Sequence, residues 1–173
     1  MKHSPYCVTL FCALLFGHFA SSVAEADSAL RQLLALRDEL PPSRRTPLMG
    51  TLAAHLLLTG DWDGMRQAAL ETINQGAAIG LTAAVAWATE AVALYVAAEG
   101  DLGAAARLSG YARLVHPSVA TRAGSRKVVV ELLDDLLSAG LAPQAREAGL
   151  AEGGRWTLAA AADKARQALG AAN

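Results

Sequence analysis

The sequence predicts an all-α protein: a solenoid of helical hairpins closed by a C-terminal helical cap. Three observations predict it. The chain is 53% hydrophobic but only 5% aromatic, and alanine and leucine dominate; that composition favours helices that approach one another through small side chains. β-branched runs are nearly absent, Val128-Val129-Val130 being the one short example. A glycine corner between two apolar helical stretches recurs at Gly17, Gly60 and Gly100, a spacing of about 40 residues and a repeat signal.

Each corner has a physical role. Glycine ends the first helix of a pair because it enters the left-handed conformation at no steric cost. Asp61 and Asp101 follow two of the glycines and can accept bonds from the free N–H groups that open the next helix. His18 stands at the equivalent place after Gly17, and Phe19, Trp62 and Leu102 come next to cover the turn. Five residues beyond each glycine stand Ser22, Met65 and Ala105, and twelve beyond stand Ala29, Thr72 and Ala112. One pair cannot bury its apolar stripe alone, so pairs must stack.

In order, the pattern predicts helices over about 5–16 and 19–38, then 47–59 and 62–75, then 80–98 and 102–115. "DELPPSRRTP" reads as a loop because prolines break helices, and "QGAAIG" reads as a turn. "HPSVATRAG" is a second break. Further helices are expected over about 125–138, 143–151 and 158–169, the last capped by Thr157. Residues 1–116 therefore form three helix pairs, and 117–173 a linker and capping helices of the same domain.

Residues 6–16 have a second reading, as the apolar part of a secretory signal. Ser22-Val23-Ala24 and Ala24-Glu25-Ala26 have small residues placed for cleavage. Cutting there would halve the helix expected over 19–38. The retained, cytoplasmic array is the preferred reading, and a periplasmic or secreted protein lacking residues 1–24 is the alternative. Cys7 and Cys12 point in different directions on one helix and cannot pair with each other.

The frame of glycine, aromatic and fixed small residues resembles the tetratricopeptide repeat. It departs from consensus at Leu102 for the aromatic, Met65 for a small residue and Arg113 for a leucine. Residues 95–169 look more particular. Gly100-Asp101, Ala105 to Ala112, Ala151-Glu152-Gly153 and Thr157-Leu158 resemble the C-terminal region of bacterial signal-transduction ATPases linked to winged-helix, LuxR-type or cyclase modules. That resemblance implies a helical sensor or scaffold end.

No catalytic pattern is present. There is no phosphate loop, no nucleophile elbow and no zinc spacing among the four histidines. No metal and no cofactor is expected. Fifteen Lys and Arg against sixteen Asp and Glu leave no footprint for direct nucleic-acid binding. No stretch is long enough to span a membrane. Arg122, Arg126 and Lys127 read as a solvated basic spot, and Asp134-Asp135 as a solvated helix face. A protein partner is expected, and any small-molecule ligand is left open. On the helix over 80–98, Trp87, Glu90 and Leu94 share one face, while Leu81, Val85, Val92 and Tyr95 lie nearer another. Trp87 and Glu90 are the candidate partner-binding residues, with Trp87 alternatively a core residue.

Overall fold

The computed structural model describes residues 40–116 and 125–170. Among them it has seven helices and no strand: α1 (Pro42–Thr59), α2 (Trp62–Ala78), α3 (Thr82–Ala98), α4 (Leu102–Val115), α5 (Ser125–Gly140), α6 (Pro143–Gly153) and α7 (Leu158–Ala168). The expected helices over 5–38, the corner at Gly17 and the cleavage site lie outside the described residues, as does 117–124.

Three corners turn the chain in the same way. Gly60, Gly80 and Gly100 have φ of 83°, 70° and 97°. At each, the glycine N–H bonds back three residues and the next N–H bonds back five: Asp61 to Leu56, Leu81 to Gly76 and Asp101 to Val96. This is the Schellman closure, which satisfies the last carbonyls of the outgoing helix. The corners differ in the residue after the glycine. Asp61 accepts a bond from the Gly64 N–H and Asp101 from the Ala104 N–H, each at 2.9 Å. Leu81 has no side-chain cap to offer. Capped corners join α1 to α2 and α3 to α4; the uncapped one joins α2 to α3.

Two expectations about breaks are corrected. "DELPPSRRTP" is not all loop, because α1 already starts at Pro42. Proline at the first helical position gives up an N–H that had no intrahelical partner anyway, and the Pro41 carbonyl receives the N–H groups of Arg44 and Arg45 at 2.9 Å each. Pro47 lies inside the helix, where the carbonyl it deprives belongs to exposed Ser43 and can turn to solvent. "QGAAIG" is helical through Ala78. Gly76 is a contact residue: a Cβ there would stand 2.7 Å from Val85 Cγ2.

Helix α1 packs on α2 and α3, α2 on α3, and α3 on α4. The positions paired by the repeat frame are buried in both copies, Met65 and Ala105, Thr72 and Ala112, and so are Leu52 and Val92, each eight residues before its corner glycine. Buried hydroxyls stay satisfied locally, Thr72 and Thr89 donating to the Ala68 and Val85 carbonyls.

The C-terminal helices then enclose this pair of hairpins. Helix α5 lies on α1 and α3, α7 on α2, α3 and α4, and α6 on α4. Helix α5 buries Val129, Val130, Leu132, Leu133 and Leu137 along one stripe, each stabilising by roughly 2 kcal/mol. Helix α3 is the hub, with 13 of its 17 residues buried. On its two predicted faces Val85, Glu90, Val92 and Leu94 are buried, while Leu81, Trp87 and Tyr95 are partly buried.

Candidate functional site

A buried polar place lies where the start of α5 meets α1 and α3. Trp87 and Glu90 are three residues apart on α3 and so share a face. Glu90 is 2% exposed. A carboxylate taken out of water needs a compensating charge, and α5 brings one: Arg126 Nη2 lies 3.6 Å from Glu90 Oε2, with side chains 12% and 3% exposed. The same guanidinium lies over the Trp87 ring, 4.0 Å from its centroid, within cation–π range. On the indole, the His116 ring sits 5.8 Å away and tilted by 30°. His116 Nε2 stands 3.5 Å from the Ala83 carbonyl. Beside this group, Ser125 Oγ stands 3.5 Å from Nδ1 of buried His55 on α1.

The structure thus brings Trp87 and Glu90 together and covers both with α5. Trp87 is half-buried, and Glu90 is closed off from solvent. The expectation of a solvated basic spot is corrected for Arg126, which is one of the most enclosed charges in the molecule; Lys127 remains exposed. Sequence contained one signal for this. Arg126 and Lys127 stand in the first turn of α5, which has no acidic residue, whereas a cation at a helix N-terminus is locally unfavourable. A local rule broken in this way points to a tertiary partner.

Further along the same helix, Asp134 pairs with Arg113 of α4, and Arg113 Nε also donates to Ser109 Oγ at 3.2 Å. The solvated reading therefore holds for exposed Asp135 but not for half-buried Asp134. Burial pushes the Asp134 carboxyl above its ordinary range, against the opposing pull of Arg113 and Arg146. Arg113, the departure from the repeat consensus, is thereby a link between α4 and α5. Tyr111 is buried and its hydroxyl has no hydrogen-bond partner among the described residues; burial raises its pKa.

The other singled-out residues stay at the corners. Gly60, Asp61, Gly100 and Asp101 shape turns well apart in sequence from the α3–α5 seam. Among the described residues, no three His, Cys, Asp or Glu side chains come together to hold a metal ion, and no helix is long and apolar enough to cross a membrane. A guanidinium meets a carboxylate and an indole face together, which a simple ammonium does less well.

The fold and this seam define an all-α protein whose helical hairpins are sheathed by further helices. No protein-family model, curated protein or solved structure matches the chain.

Proposed function

We propose that this chain is a tetratricopeptide-like interaction or scaffold module without a catalytic centre, acting in the cytoplasm as the sensor end of a bacterial transcription or signalling regulator. One observation carries the reading. The corners alternate between glycine–aspartate within a hairpin and glycine–leucine between hairpins, which is the signature of one unit used twice. The packing of α1 on both α2 and α3, with α2 also on α3, supports the same reading. Such modules bind by presenting a helix-lined surface to a segment of another protein.

The test is to titrate the full chain with the ATPase and DNA-binding portion of a regulator of this class from the same cell, followed by analytical ultracentrifugation. A one-to-one complex with a dissociation constant in the micromolar range is expected. No association at any accessible concentration would overturn the proposal.

A further inference from the structure

We draw no further inference here: the strongest candidate, the apolar surface exposed by Ile79 at the α2–α3 corner and by Leu114 in the last turn of α4, carries nothing because nothing in the structure shows what covers it.

Discussion

Helices α5 and α6 are consecutive in the chain and meet the rest of the molecule in opposite ways. Helix α5 rests on its neighbours through side chains, with an apolar stripe and the Arg126–Glu90 pair. Helix α6 rests on α4 almost backbone to backbone. A Cβ on Gly153 would stand 1.7 Å from the Arg107 carbonyl oxygen, one on Gly110 2.2 Å from the Leu150 carbonyl oxygen, and one on Gly149 2.9 Å from Ala106 Cβ. The first contact is selective because it depends on charge and shape. The second is rigid because no side chain can adjust to relieve a clash between main chains. One region is held by side chains that can adjust and the other by main chains that cannot.

The sharpest way to break this contrast is at Gly153. Gly153→Ala is expected to destabilise by about 4 kcal/mol, above the usual cost of overpacking because the obstructing atom is backbone. A urea titration reads it, and a loss below about 1 kcal/mol would show that α6 lifts away freely. At the other seam, Arg126→Ala is expected to cost about 3 kcal/mol by removing a cation that faces buried Glu90. Adding Glu90→Gln is expected to restore about half of that loss, since removing both charges is milder than removing one. Additive losses in this double-mutant cycle would mean that the two residues do not act as a pair.

The corners serve as a control in which strain replaces crowding. Gly100 has φ of 97° and nothing within 4 Å of a built Cβ. Gly100→Val is expected to cost about 2 kcal/mol through backbone conformation alone, and Gly100→Asn less, because asparagine tolerates the left-handed region. An unchanged melting temperature for the valine variant would show that the corner does not constrain the chain.

The smallest effect is expected at Asp134. Its carboxyl titrates above the ordinary value of 3.8 in the fold, so the folded chain holds this proton more tightly than the unfolded one. The contribution favours the fold below pH 3.8 and is lost as pH rises from there through the raised pKa. Asp134→Asn is expected to flatten that segment of the stability–pH curve. Near neutrality it should change stability by no more than about 0.5 kcal/mol, since a side chain 38% exposed is well screened by water. A steeper curve in the variant would contradict the sign.

What is legible in the sequence is local. Gly60-Asp61 and Gly100-Asp101 can be read because a left-handed corner and an aspartate cap each act within a few residues. Thr157 capping the N–H of Ala160 is of the same kind. The faces of α3 are not legible, because apolar residues surround it and periodicity marks no outside. Pro41-Pro42 and Gly76 mislead for a related reason. The same residue types that break a helix also start one or permit a close crossing, and only the neighbour decides. Arg126 looks solvated in the sequence because its carboxylate partner lies on another helix. Trp87 and Glu90 stand out from the sequence, but their union through α5 belongs to tertiary structure.

The burial of 13 of the 17 residues of α3 has a consequence for the order in which the chain is assembled. The hub helix precedes in the chain two of the segments that cover it, α5 and α7. A chain cut short near residue 116 would therefore carry a bare greasy rod among its hairpins, which is a target for chaperones and for self-association. Addition of α5 and α7, rather than formation of the first hairpins, is the step that closes this apolar surface.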